Sequence, residues 1–294
     1  MNSGIFFAGG AFFLWGIFPL YWKLLRDVPA TEMIAHRIIW AMAAIFVLLV
    51  CKKRTAFIAD FIKDPMSGIP YLLTGTILAG NWLVFIWAIN NNFLLEASLG
   101  YFICPLVSIV LGLIVLGEKL RALQSIAVLM AAIAVTFMTV SYGKIPFVAL
   151  GLAVSFGIYG LMRKKARLSS IEGLFLETFF LTLPALLYIF SLESGNTGHF
   201  IFASINTKLL IAISGPVTAL PLILFAVGVR RVQLTTIGLM QYLAPLMQFL
   251  LAIFVFKEPF DQQKLIPFSL IWLALSLYSL DGYLRVNRPP LKNL

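Results

Sequence analysis

The chain has 294 residues, of which 61% are hydrophobic and 12% charged, with a mean hydropathy of +0.98. A soluble globular domain carries about 25% charged residues, so this chain lacks the polar surface to cover itself in water, and soluble folds are excluded. Its net charge of +10 does not point to nucleic acid, because Lys and Arg fall almost wholly between apolar runs, where they orient a protein in a bilayer.

About 20 mostly apolar residues span a membrane. Ten such runs are predicted: 3–24, 33–51, 69–90, 94–116, 121–141, 146–162, 171–192, 208–229, 234–256 and 265–284. The expected class is an all-α membrane protein of ten transmembrane helices. The first run follows no basic residue and is too long for a signal h-region, so it is read as a retained span. Cys51 and Cys104 lie in or at the end of apolar runs, which gives no disulfide framework. Most connections are short. The exceptions are 52–68, with Lys52-Lys53-Arg54, and the polar 193–207. With the N-terminus cytoplasmic, 15 of the 22 Lys and Arg fall in inner connections and 6 in outer ones, Arg37 lying within a span. That bias puts both termini inside.

The chain also repeats itself. Leu99 to Leu106, with Pro105, is matched 140 residues later by Leu239 to Leu246, with Pro245, and the register holds to Glu118 and Glu258. Phe6 to Lys23 can be laid on Phe147 to Lys164, with Phe6/Phe147, Ala8/Ala149, Gly10/Gly151, Gly16/Gly157 and Ile17/Ile158 identical. Two five-helix repeats follow, 1–143 and 144–294. Five is odd, so the second repeat enters the membrane from the opposite side. Transporters built from such inverted repeats place their site near the midplane.

Prolines interrupt several spans: Pro19, Pro105, Pro216, Pro221 and Pro245. Each frees a carbonyl that a neighbouring helix, water or substrate must satisfy. Helical spacing puts Tyr101, Pro105 and Ser108 on one face, and Gln241, Pro245 and Gln248 on another, with Tyr242 beside it. A glutamine facing lipid would stay unpaired, so these faces are expected to turn to protein or a wet cavity. Plain interhelical hydrogen bonds are the alternative. Trp15, Asn81, Trp82, Trp87, Ser155, Tyr159, Ser214 and Thr218 extend the picture to an aromatic, weakly charged cavity, suited to an amphipathic or zwitterionic solute. Trp22, near a helix end, is assigned to an interfacial belt. Ala149, Ala153 and Gly157 form a close-packing stripe.

Ionisable residues within spans are costly and point to function. Arg37, beside His36, lies about one turn into the second run, and Glu177 lies 140 residues later. Topology separates the two by roughly 15 Å in depth, so they are not expected to pair. Glu96 is the expected partner of Arg37, and Arg230 or Arg231 that of Glu177, forming an outer and an inner charge cluster that brace or gate a path. Structural anchoring near the interface is the alternative. Desolvation could tune His36 or Glu177 to carry a coupling proton; the sequence leaves proton coupling open. His36 and His199 are too far apart in sequence to read as a metal motif, and no enzyme signature or cofactor motif is found. Glu118 and Glu258 read as solvated helix caps.

Trp15-Gly16-Ile17-Phe18-Pro19-Leu20-Tyr21-Trp22-Lys23, Glu32 with His36-Arg37-Ile38-Ile39-Trp40, Asn81-Trp82 with Phe85-Ile86-Trp87-Ala88, Glu96 through Ile103, Leu176-Glu177-Thr178, Thr218 through Leu222, and Gly238 through Gln241-Tyr242 to Pro245 resemble the RarD-type permeases. These form part of the EamA-like branch of the drug/metabolite transporters. The resemblance covers nearly the whole chain; Cys104 stands where the family motif usually has Asn. It implies a multi-pass carrier of the bacterial inner membrane, with helices one, three, four, six, eight and nine around a central cavity. RarD-type proteins are commonly described as chloramphenicol-related permeases, and wider relatives export amino acids or other metabolites. The reading is therefore alternating-access transport of a small organic molecule, drug or metabolite, in the direction of export. Uptake or exchange of an amino acid or S-adenosylmethionine is the second reading, and a non-transporting membrane subunit or membrane enzyme the third. The expected partners are the substrate and the bilayer, not nucleic acid, with monomer and homodimer both open.

Overall fold

A computed structural model describes residues 3–257 and 265–286; Glu258 lies outside the described residues. The helices are α1 (Ser3–Trp22), α2 (Ala30–Cys51), α3 (Ala56–Lys63), α4 (Ile69–Asn90), α5 (Leu94–Val115), α6 (Ala122–Tyr142), α7 (Phe147–Lys165), α8 (Ser170–Ser194), α9 (Ile205–Arg231), α10 (Leu234–Gln241), α11 (Leu243–Phe254) and α12 (Leu265–Val286). No strand occurs among the described residues. Nine spans there are long and apolar enough to cross a membrane, α10 and α11 together making the ninth, and α12 adds a shorter apolar stretch, Ile266–Gly282. Many of the largest apolar side chains point outward, among them Phe6, Ile114, Val140, Leu183 and Phe190. In water they would be a liability; in lipid they cost nothing.

Contacts between connections sort the bundle into two ends. At one end Arg231 at the close of α9 reaches Ser3 Oγ at 3.1 Å, Arg121 before α6 binds Asp281 in α12, and Leu168 N donates to Tyr71 OH at 2.8 Å. The Asp281 carboxylate holds the Arg121 guanidinium above its ordinary pKa. At the far end Tyr188 OH meets Thr31 Oγ1 at 3.0 Å and Tyr142 OH donates to Glu96 at 2.7 Å. Ser3, which opens α1, and Asp281, in the last turns of α12, lie at the first end, here called the terminal end.

Sequence reading treats 52–68 as a connection, but it contains α3. Eight residues are too few to span, and α3 instead lays Phe57 and Phe61 against Phe175, Phe179 and Phe180 of α8. Asp60 and Lys63 share the same short helix, which makes it amphipathic. The stripe of small residues does pack closely: Ala149 and Ala153 are fully buried, and a Cβ on Gly157 would press on Val107 of α5. At Gly215 the backbone of α9 lies so near Trp40 and Ala41 of α2 that any Cβ would strike main-chain atoms.

The two related prolines act differently. Pro245 sits in the first turn of α11, and the missing bond to the Gln241 carbonyl coincides with the break between α10 and α11 at Tyr242. Pro105 lies inside α5, which runs through it unbroken. The Pro105 carbonyl faces Gly238 of α10, where a side chain would not fit.

Candidate functional site

Arg37 leaves α2 and points into the bundle. Its Nε donates to Thr218 Oγ1 of α9 at 2.8 Å. The guanidinium carbon lies 4.7 Å from the ring centre of Trp22 and 4.4 Å from that of Trp82. Trp22 is thus a cation–π partner of Arg37. Tyr21 and Tyr101 lie within electrostatic range of the same charge, and Tyr21 OH is committed to the Leu210 carbonyl. Trp15, Trp82, Asn81 and Arg37 are half-buried, and Tyr101 keeps 44% of its surface accessible. Asn81 Nδ2 ties α4 to α7 through Leu152 O at 2.9 Å and Ser155 Oγ at 2.8 Å. Trp87 lies apart, stacked on Phe93 at 5.4 Å.

Toward the terminal end the bundle closes. Trp15, Phe156 and Phe225 meet with centroids 5.5–5.8 Å apart, and Tyr159 stacks on Phe225 at 6.1 Å. Beyond them Glu177 of α8 accepts from Arg163 Nη1 at 3.1 Å, Thr74 Oγ1 at 2.8 Å and Tyr159 OH at 3.3 Å. Arg163 also donates to Ser170 O at 2.8 Å. Both members of this pair are 1% exposed. Gly173 makes the pair fit, since a Cβ there would collide with Arg163 Nη1. A cleft of about 850 Å³, with Asp60, Tyr71, Lys165 and Arg167 on its walls, reaches Thr74 and Arg163 from the terminal end. From the other side, a cavity of about 20 Å³ runs between Arg37 and Glu177, room for about one water.

These contacts correct the expected pairings. Glu177 is paired with Arg163, not with Arg230 or Arg231, which bond to Leu168 O and Ser3 Oγ. Tyr159 and Arg163 stand one turn apart on α7, so one face delivers both to Glu177. Glu96 does not reach Arg37. It accepts from Tyr142 OH and from Val148 N at 3.0 Å, with Lys144 Nζ at 3.6 Å, and so pins the α6–α7 connection. Glu118 is not a solvated cap; it accepts from Leu234 N at 2.6 Å and Thr235 N at 2.8 Å at the start of α10, with Lys164 Nζ 3.8 Å away. The two histidines of the chain share one buried carboxylate: Glu32 accepts from His199 N at 2.8 Å and lies 2.8 Å from His199 Nδ1 and 3.7 Å from His36 Nε2. Sequence spacing cannot reveal a meeting across 167 residues.

Gln241 and Tyr242 are buried between α5 and α10. Gln241 Oε1 accepts from Ser108 Oγ at 3.2 Å, and Tyr242 OH donates to Phe102 O at 3.1 Å. Pro245 is buried too, and Gln248 Nε2 donates to Trp15 O at 3.2 Å.

A bundle of apolar spans enclosing a cation, polar hydroxyls and an aromatic wall defines a membrane transport protein rather than a structural anchor. Residues 2–140 match the EamA-like transporter family. The uncharacterized transporter YojE of Bacillus subtilis is 45% identical, covering 95% of this chain and 94% of that one, and Protein RarD of Escherichia coli is 40% identical, covering 96% and 95%. A crystal structure at 16% identity superposes with a TM-score of 0.72 over 98% of this chain and 100% of that one, a likeness of fold. The chain belongs to the EamA-like transporters and, within them, to the RarD-type permeases; it is a multi-pass protein of the bacterial inner membrane.

Proposed function

We propose that the protein is a secondary carrier, not an enzyme, which exports a small organic molecule by alternating access. Ten helices form two inverted five-helix repeats, 1–143 and 144–294, with both termini cytoplasmic. One observation carries the mechanism: Arg37 and Tyr101 keep accessible surface, whereas Arg163 and Glu177 are paired and 1% exposed. A carrier at rest must be shut at one end, and aromatic packing with a buried ion pair does that here. The Tyr242–Phe102 bond supports the repeat, because it joins positions related by the 140-residue offset.

In this reading Trp15, Asn81, Trp82, Tyr101 and Thr218 line the substrate path. Tyr159, Arg163 and Glu177 form the cytoplasmic barrier. Pro105, Gln241, Tyr242, Pro245 and Gln248 work one step back: they join α5 to α10 and α11 to α1, and the break at Tyr242 lets α10 and α11 change angle. His36, Glu32 and His199 hold the outer end of α2, and Glu96 that of α5. Arg230 and Arg231 anchor the cytoplasmic end of α9.

Counterflow in proteoliposomes tests the function directly. Labelled chloramphenicol, amino acids and S-adenosylmethionine are offered against unlabelled internal solute. At least one class is expected to accumulate, and the Glu177→Leu variant, its barrier broken, is expected to leak it. Failure of every class to move would shift the assignment to a non-transporting subunit.

A further inference from the structure

Each buried carboxylate described above is engaged. Glu177 holds Arg163, Glu96 holds Tyr142 and the start of α7, and Glu32 holds His199. Arg37 is left, among the described residues, with no carboxylate in reach. A guanidinium has five N–H donors in a planar fork. Here Nε is bound to Thr218, while the four Nη hydrogens have no acceptor among the described residues. Two tryptophan faces steady the plane without neutralising its charge. Tyr101 brings a phenol within electrostatic range of the same charge, with no hydrogen-bond partner among the described residues.

A cation left in this condition within a membrane span is expensive. Its natural complement is a planar, bidentate anion. The charge balance narrows the choice. Arg37 is a single positive charge whose electrostatic neighbours are the phenols of Tyr21 and Tyr101. A monoanion neutralises it, whereas a phosphate dianion would bring a surplus charge into a low-dielectric site. The surrounding aromatic wall of Trp22, Trp82 and Tyr101 suits an apolar or aromatic body. We propose that the Arg37 fork, held by Thr218 and stacked on Trp22 and Trp82, binds the carboxylate of an organic solute with an apolar body, Tyr101 donating a further hydrogen bond. This deepens the carrier reading and rests on it for the step after binding.

The test uses the full-length protein in nanodiscs. Its tryptophan emission is titrated with phenylacetate, phenylalanine, phenethylamine, benzyl alcohol and phenyl phosphate, one ring with different head groups. Phenylacetate and phenylalanine are expected to bind at least roughly tenfold more tightly than benzyl alcohol or phenethylamine. Arg37→Gln is expected to remove that preference, and Arg37→Lys, which keeps the charge but not the fork, to retain part of it. Thr218→Val should weaken phenylacetate only a few-fold, and it carries the test with Arg37→Lys should Arg37→Gln fail to fold. Benzyl alcohol binding as well as phenylacetate, or an unchanged preference in the Arg37 variants, overturns the proposal. Tighter binding of phenyl phosphate overturns the carboxylate assignment. Counterflow of the same probes separates the two claims. Arg37-dependent binding with no counterflow leaves the site standing and overturns the carrier. Counterflow restricted to neutral solutes, at the same rate in Arg37→Gln, leaves the carrier standing and overturns the site.

Discussion

Arg37 and Arg163 both turn into the helix bundle, and their surroundings are opposites. Arg163 is sealed in, with Glu177, Thr74, Tyr159 and the Ser170 carbonyl around it and aromatic packing above. Arg37 has one hydroxyl, two indole faces and a cavity of about 20 Å³ beside it. An ion pair buried this deeply gives little net stability, because desolvation consumes most of the attraction. It does make separation costly, which suits a barrier that must hold until something displaces it. A cation without a carboxylate gives little net stability, because desolvation offsets its contacts, and its presence here argues for a partner that comes and goes. In the proposed reading the same residue type does two jobs, and the carboxylate decides which.

Breaking the sealed side should have the largest effect. Glu177→Leu leaves Arg163 charged and unpaired, and a loss of about 3–5 kcal/mol is expected, read as thermal or denaturant unfolding of the detergent-solubilised protein. Adding Arg163→Met should restore most of that loss, since a matched apolar pair replaces a buried ionic one. A double variant no more stable than Glu177→Leu would show that the pair matters for something besides its charge. Next in size is Gly173→Ala. The added methyl must push Arg163 off its line to Glu177, at a cost of about 1–3 kcal/mol; a wild-type melting curve would mean the guanidinium can move aside freely. Tyr159→Phe removes only the donation to Glu177 at 3.3 Å and should cost about 1 kcal/mol, with Phe225 stacking retained.

How much of this contrast can be read from sequence differs between its two halves. Arg37 and Glu177 stand out because charge within an apolar run is rare, and the spans themselves follow from hydropathy. Arg163 does not stand out: it falls one residue past the end of an apolar run ending at 162 and looks like one more basic residue in a connection. The helix continues to Lys165 and carries it inside. Trp22 shows a related limit: a tryptophan near a helix end reads as an interfacial anchor, and spacing alone does not reveal its contact with Arg37. Here the 3-10 turn Lys23–Leu25 follows it, and the ring turns to Arg37. The partners of Glu32, Glu96 and Glu118 depend on which connections meet at each end, and hydropathy carries no information about that. The proline pair at 105 and 245 shows the limit most clearly. A shared residue at a shared offset does not bring a shared geometry: one helix runs on and the other breaks.

The smallest expected effect on stability is the one that most sharpens the comparison. Arg37→Gln removes a charge that no carboxylate among the described residues compensates, so its loss forfeits one bond from Nε to Thr218 and two cation–π contacts while relieving the desolvation of the guanidinium. The first terms are worth about 1–3 kcal/mol together, and the relief is of similar size and opposite sign. The melting temperature should therefore change little or rise. Melting curves of Arg37→Gln and Glu177→Leu, measured side by side in the same detergent, make the check. Should Arg37→Gln fall as far as Glu177→Leu, then Arg37 has a compensating partner as strong as Glu177, and the distinction between a sealed arginine and a waiting one collapses.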